Sequence, residues 1–211
     1  MAPAQARPVV VEMFTSLACS SCPPADALLG QIAAGDPDIL PLSFNITYWN
    51  NLGWPDPLAL DGATRRQSWY AGLQNSQNVY TPEAVVDGSA QMDGSDRGQV
   101  LAAIRRAKQA ATAVPMGVTG GAMITVSVGA GTLQKPTAIW LFGFDASRTT
   151  AVGGGENGGA TITEVNVVRS IATLGNWTGA LETFTIPHPA GGHVAVLLQA
   201  ADGTILGAAS D

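Results

Sequence analysis

The chain has 211 residues, 46% hydrophobic and 12% charged, enough for a substantial core in one large domain or two small ones. Ten basic residues against sixteen acidic ones give a net charge of −6, which argues against a nucleic-acid surface. No run of about 18 apolar residues exists, so no membrane-spanning helix is expected, and two cysteines cannot build a disulfide scaffold.

Residues 1–8 are small, polar and proline-containing, and read as a flexible N-terminus. They lack an apolar h-region and so are not a secretory signal, although they have the character of a mature N-terminus left once a signal has been removed. Val9–Phe14 is a short apolar run with the composition of a buried strand. Cys22–Ala34 reads as a helix ending near Gly35, and Ile39–Ile46 as a second strand. Leu60–Leu73 is helical, with Arg65, Arg66 and Gln67 expected on its wet side. Glu83–Val86 and Ser89–Met92 flank Asp87-Gly88, a two-residue hairpin signal, and Ser95 or Asp96 can cap a last helix through Lys108. The order β-α-β-α-β-β-α predicts an α/β domain over residues 9–112, a mixed sheet with flanking helices.

The composition changes after Pro115. Seventeen of the 25 glycines, but only three of the ten basic residues, lie in 113–211. Strand-like runs recur at Ala122–Val128, Thr137–Phe144, Thr161–Val168, Ala180–Ile186 and His193–Gln199. This pattern predicts a second, antiparallel β-rich domain with sandwich character, its boundary near 112–116. The glycine run at 153–159 is followed by β-branched residues rather than a helix, so it reads as a mobile hairpin loop and not a phosphate loop.

The chemistry-bearing feature is Cys19-Ser20-Ser21-Cys22, placed between the first strand and the first helix. Unpaired N–H groups and the helix dipole at a helix start favour a thiolate, so Cys19 is the expected nucleophile and Cys22 the resolving thiol. Ser20 and Ser21 tune the pair and can donate hydrogen bonds to sulfur. Pro23 and Pro24 are compatible with a first helical turn, whose N–H groups are unpaired in any case.

This constellation resembles the thioredoxin superfamily. The element order matches, and so does Thr81-Pro82 directly before a strand and a hairpin. The resemblance implies a cis Pro82 facing the cysteines, with the Thr81 backbone available to an extended substrate chain. Val11–Ser16 leading to Cys19–Asp26, then Tyr48-Trp49, Gly53–Pro57, Tyr80-Thr81-Pro82 and Val86-Asp87-Gly88 narrow it further. With Gly155-Glu156-Asn157 and Val165–Arg169, these segments are similar to one group of exported bacterial thioredoxin-like proteins catalogued as a domain of unknown function. That likeness implies a thioredoxin fold with an appended β-rich portion and a periplasmic or secreted location. Ala18 stands where the group usually has glycine.

Thioredoxins often bury a carboxylate beneath the resolving cysteine, and Glu12 on the first strand is the candidate for that proton relay; the alternative is a carboxylate tied structurally to a neighbouring loop or to the second half. Trp49 and Trp54 lie in a proline-stiffened segment after the second strand, either as a substrate wall above Cys19 or as a hydrophobic plug between the halves.

Three readings remain open on the residues. The first is thiol–disulfide exchange with a protein or small-molecule thiol as partner and no bound cofactor beyond the redox-active disulfide. The second is copper(I) binding by Cys19 and Cys22, since His188 and His193, in turn-rich surface sequence, are poor ligand candidates and no second cysteine pair exists. The third is a binding module with a static disulfide. Asp36 and Asp38 sit in a solvated turn, and no G-x-S-x-G or dinucleotide fingerprint appears.

Overall fold

The computed structural model describes residues 7–109 and 113–211. Residues 1–6, most of the expected flexible N-terminus, and 110–112, at the edge of the expected boundary, lie outside the described residues. The elements in chain order are β1 (Val9–Thr15), α1 (Pro23–Gly35), β2 (Ile39–Asn45), α2 (Asp61–Leu73), β3 (Glu83–Val86), β4 (Ala90–Asp93), α3 (Arg97–Ala107), β5 (Met116–Gly120), β6 (Met123–Val128), β7 (Thr137–Ala151), β8 (Thr161–Asn176), β9 (Glu182–Pro187), β10 (His193–Ala200) and β11 (Ile205–Ser210). The protein is a mixed α/β structure with an eight-stranded sheet ordered β11-β10-β7-β8-β2-β1-β3-β4 and a three-stranded sheet ordered β5-β6-β9.

All seven residues of β1 are buried. The strand is central: it runs parallel to β2 and antiparallel to β3. Its alternate side chains feed two cores. Val9, Val11 and Met13 pack with Leu28, Leu29 and Ile32 of α1 and Val100, Ala103 and Ile104 of α3. Val10 and Phe14 face α2, in a core that continues to Phe142, Leu197 and Ile205 of the second half. Asp96 caps α3 by accepting from the Gln99 N–H. Asp87 and Gly88 both take positive φ in the β3–β4 turn. A Cβ on Gly88 would stand 1.9 Å from the Gly203 carbonyl oxygen, so this turn abuts the β10–β11 turn as only glycine permits.

The second half does not close on itself. Its long hairpin, β7–β8, joins the first half's sheet edge-on, with β8 parallel to β2 at Ser43–Val167. The three-stranded sheet covers β7 and β10 through Val118, Ile124, Val126 and Val128 against Ile139, Leu141, Val194 and Val196. Strands β7 and β8 run well past the expected Phe144 and Val168 limits, and β5 and β11 are additional to the expected set. β5 carries two glycines and β11 is small-residue-rich, so neither has the β-branched density that marks a strand.

One expectation for α2 is corrected. Arg65 is exposed, but Arg66 and Gln67 are buried, not on a wet face. Arg66 makes a bidentate ion pair with Glu12 and donates through Nη2 to the Tyr70 hydroxyl at 3.1 Å and to Gln199 Oε1 at 2.9 Å, while its buried Nη1 has no partner among the described residues. Its guanidinium lies 4.9 Å from the Trp140 ring centroid and 5.0 Å from that of Phe142. A buried charge with a paired carboxylate and aromatic faces avoids the penalty that makes helix arginines face water.

Candidate active site

β1 ends at Thr15, the chain turns through Ser16–Ser21, and Cys22 caps α1 with Pro23 and Pro24 in the first turn. The Cys22 carbonyl accepts from the Ala25 and Asp26 N–H groups, which fixes the thiol against the helix start. Both cysteines are free and closed off from solvent, Cys19 being the shallower. Cys19 Sγ lies 3.2 Å from Ser21 Oγ and 3.8 Å from the Thr81 carbonyl oxygen. The Thr81–Pro82 bond is cis. Thr81 is held from two sides: Trp49 Nε1 donates to its hydroxyl at 2.8 Å, and Gln67 Nε2 donates to the preceding Tyr80 carbonyl and to Glu83 Oε2, both at 2.7 Å.

The two sulfurs differ electrostatically. The hydrogen bond from Cys22 lowers the Cys19 pKa against the opposing effect of burial, and Ser21 and Thr81 lower it further, to about 6. Cys22 moves the other way, raised by its hydrogen bond to Cys19, by burial and by the Cys19 charge. To the helix end indicated by the sequence, the structure adds three hydrogen-bonding neighbours of Cys19.

Three carboxyl groups sit beneath the motif: Asp26 of α1, Asp56 of the loop before α2 and Glu164 of β8, exposed by 7%, 4% and 1%. Asp56 Oδ2 accepts from the Leu17 N–H at 3.0 Å and from Asn45 Nδ2 at 3.2 Å, and its Oδ1 accepts from the Leu58 N–H at 2.8 Å. Asn45 Nδ2 also donates to Glu164 Oε1 at 3.0 Å. Burial pushes the Asp26 carboxyl up to about 7, against a lowering contribution from Thr15. Burial, followed by the Asp26 charge, holds Glu164 well above the usual carboxylate range. Thr15, the last residue of β1, neighbours both Cys22 and Asp26.

Glu12 points to the opposite face of β1, where Arg66 and Tyr70 bind it; Tyr70 donates to its Oε1 at 2.6 Å. Its setting is the structural tie, and it includes Gln199 of the second half through Arg66 and Tyr70. Asp26 is a buried acid whose carboxyl feels the Cys19 charge. Its place in a first helical turn gave no sign of this, since acids there are ordinary helix starters. Glu164 left a weak sign: it shares an inward position with Ile162 and alternates with exposed Thr161 and Thr163.

The glycine loop between β7 and β8 is a hairpin loop, but it is tied down where mobility was expected. Glu156 accepts from the Ser20 N–H at 2.9 Å and from the Ser20 hydroxyl at 2.7 Å. Asn157 Nδ2 donates to the carbonyls of Leu17 and Cys19 at 3.0 and 2.8 Å, and the Glu156 N–H donates to the Ala18 carbonyl at 3.0 Å. Gly155 has φ +70, and a Cβ there would stand 2.6 Å from that of Ala18. Gly153 and Gly154 lie against Trp54, which packs with Leu17, Leu58 and Val152. Trp54 thus fills the seam between the halves, while Trp49 belongs to the Thr81 side of the cysteines. His188 and His193 are not brought there; His193 stacks on Phe144 and lies 3.5 Å from Asp211. Among the described residues, no cluster of three or more His, Cys, Asp or Glu has metal-holding geometry.

The profile of a family described as "Protein of unknown function (DUF1223)" matches residues 10–199. No curated protein matches the sequence. Among solved structures, protein AGR_C_4864 from Agrobacterium tumefaciens is similar at 31% identity and a TM-score of 0.81, over 98% of this chain and 94% of that one. HBP35 of Porphyromonas gingivalis shares the fold at 13% identity and a TM-score of 0.61, over 99% of this chain and 76% of that one.

Proposed function

The chain belongs to the DUF1223 family of proteins of unknown function, and from the chemistry of its own site we propose that it is a thiol–disulfide oxidoreductase on a thioredoxin-like scaffold. The observation that carries the reading is two adjacent free thiols at the start of α1, with Cys19 Sγ 3.2 Å from Ser21 Oγ and 3.8 Å from the Thr81 carbonyl oxygen, an arrangement that holds Cys19 down while Cys22 is pushed up. A metal-holding or inert pair has no need of that division, whereas exchange requires a standing thiolate and a second thiol that waits. The scaffold reading is supported by the β2-β1-β3-β4 portion of the sheet, by α1 and α3 on one face with α2 on the other, and by the cis Pro82 beside Cys19.

In the reductive direction, the Cys19 thiolate attacks a substrate disulfide. One substrate sulfur leaves as a thiolate, and Cys19 is joined to the other. Cys22 then loses its proton and attacks Cys19 Sγ, the mixed disulfide breaks, and the second substrate thiolate departs with the electron pair. The protein is left oxidised by two electrons and the substrate reduced by two; the reverse sequence oxidises a dithiol. Asp26, in contact with Thr15 and buried beside the motif, is the acceptor for the Cys22 proton, the part that the sequence had offered to Glu12. Thr81 presents its backbone to the substrate chain, and Trp49 fixes Thr81. By its resemblance to exported proteins, the partner is an extracytoplasmic protein or small thiol.

The test is trapping. Cys22→Ala incubated with a disulfide-bonded peptide accumulates a mixed disulfide at Cys19, seen by mass spectrometry, and in the wild type, where Cys22 is present to hold it down, alkylation of Cys19 tracks a thiolate titrating near pH 6. A Cys19 that titrates near the free value of about 8.5 and traps nothing sinks the reading. Stoichiometric copper(I) binding lost in Cys19→Ser, without turnover, favours metal handling instead.

A further inference from the structure

We propose that the cleft between α2 and the β7–β8 arm is a binding site for a small aromatic carboxylate, its ring stacked on Trp69 and Trp140 and its carboxylate held by Arg65 and by the unspent edge of Arg66. The site is separate from the cysteines, and its occupancy is independent of thiol exchange.

The cleft has a volume of about 440 Å³, within the range of small-molecule pockets. Arg65, Arg66 and Trp69 line it from α2, and Trp140, Ile171 and Thr173 line it from the facing strands. Positions 62, 65, 66 and 69 recur at helical spacing, which puts these α2 side chains on one face. Gly62 lets that face come close to β8, since a Cβ there would stand 3.2 Å from the end of the Ile171 side chain. Trp69 and Trp140 are only partly buried, so the cleft is walled by two indoles rather than filled by them. Among the described residues, none of those lining it hydrogen-bonds to Cys19, Cys22 or Thr81.

Arg66 gives the cleft its chemistry. A guanidinium carries N–H donors on all three nitrogens in a rigid planar fork. Nε and Nη2 are spent on Glu12, Tyr70 and Gln199. Nη1, on the edge of the fork away from Glu12, is buried without a partner among the described residues, and Arg66 as a whole is only 3% exposed. The Cζ from which Nη1 branches stands 4.9 Å from the Trp140 ring centroid and 5.9 Å from that of Trp69, the two indoles of the cleft. A buried donor without an acceptor is uncommon in a folded protein and is relieved by any ligand that brings one. Because Nη1 is itself covered, entry of the ligand turns Trp69 or Trp140 aside and uncovers it. Glu12 already neutralises Arg66, so the cation that balances a bound anion is Arg65, which is exposed and makes no ion pair among the described residues. An inorganic anion would leave the indole faces unused, and a plain hydrocarbon ring would leave Nη1 unsatisfied. A flat ring that carries a carboxylate meets both demands, by stacking and by charge-assisted hydrogen bonds.

The probe is 2-naphthoate, with 2-naphthamide as the uncharged ring of the same shape. Titrated into the full ¹⁵N-labelled chain and followed by NMR, 2-naphthoate should saturate at a single site. It should shift the indole N–H signals of Trp69 and Trp140 and the guanidinium signals of Arg66, and leave the indoles of Trp49, Trp54 and Trp177 in place. The amide should bind about tenfold more weakly, because it forgoes the charge-assisted bonds. Arg65→Gln, a change at an exposed position, should weaken the acid several-fold and leave the amide as it was. Trp140→Leu should abolish the binding of both; if that variant does not fold, the wild-type shifts and Arg65→Gln decide alone. Equal affinity for acid and amide overturns the site, as does an affinity for the acid unmoved in Arg65→Gln. So does a titration of the wild type that never saturates, or one that saturates with the Trp69 and Trp140 signals in place. The readout uses neither cysteine, so an exchange-dead protein leaves it intact.

Discussion

Asp26 keeps a proton that the unfolded chain would surrender. Its folded value near 7 against an ordinary 3.8 means that between those pH values the native state binds more protons than the unfolded one. Stability from this residue is therefore full below about pH 4 and declines as pH rises to 7, by up to about 1.4 kcal/mol per pH unit. Asp26→Asn removes its share of the slope. Urea unfolding of the reduced protein at pH 5 and pH 8 should show the variant gaining on the wild type by a few kcal/mol across that span. The depressed Cys19 thiol contributes the opposite slope in both proteins and drops out of the difference. Parallel curves for the two proteins would mean that Asp26 ionises normally. At this scale the sequence disclosed the thiols but not the acid. C-S-S-C has a chemistry in any context, whereas an aspartate holds its proton towards neutrality only through burial by parts of the chain distant in sequence.

At the scale of the element, the β7–β8 hairpin decides most. Its tip braces the backbone of residues 17–20 through Glu156 and Asn157. Asn157→Ala deletes two of those hydrogen bonds, worth roughly 1 kcal/mol each. Iodoacetamide should then alkylate Cys19 several-fold faster at saturating thiolate, with the midpoint of the pH profile unmoved. An unchanged rate would show that the brace does not limit access. The first-half elements were legible because local signals agree there: apolar runs, a capping aspartate and an Asp-Gly turn each act within a few residues. The reach of β7 and β8 past Phe144 and Val168 was not, since Ser147–Thr150 and Arg148 are polar and strand only because the two arms pair with each other from Asp145–Val167 outward. The glycine run read as mobile for the same reason: its anchors are groups of residues 17–20, more than a hundred residues away.

Across the whole molecule, the division seen in composition near residues 112–116 is crossed by one sheet. Phe44 packs edge-on against Phe142, β8 covers the edge of β2, and Arg7 clamps Asp87 to the Ile205 carbonyl. A chain ending at residue 109 would expose the Phe14–Phe44–Tyr70 face and leave Arg66 without its Gln199 partner. It should fail to give a cooperative urea transition, while the full chain gives one. A stable, cooperative 1–109 fragment would make the second half an accessory to an independent redox domain.

Cys19 has no exposed surface, and that makes its reactivity a product of two factors: the intrinsic rate of a thiolate and the fraction of time the sulfur is uncovered. A small oxidant such as peroxide must wait for spontaneous uncovering and contributes nothing towards it. A polypeptide docked along Thr81, as the proposed exchange requires, would supply binding free energy for the same displacement. On the exchange proposed above, the closed site would discriminate kinetically, shielding its electrons from casual oxidants while leaving them available to a partner large enough to open it.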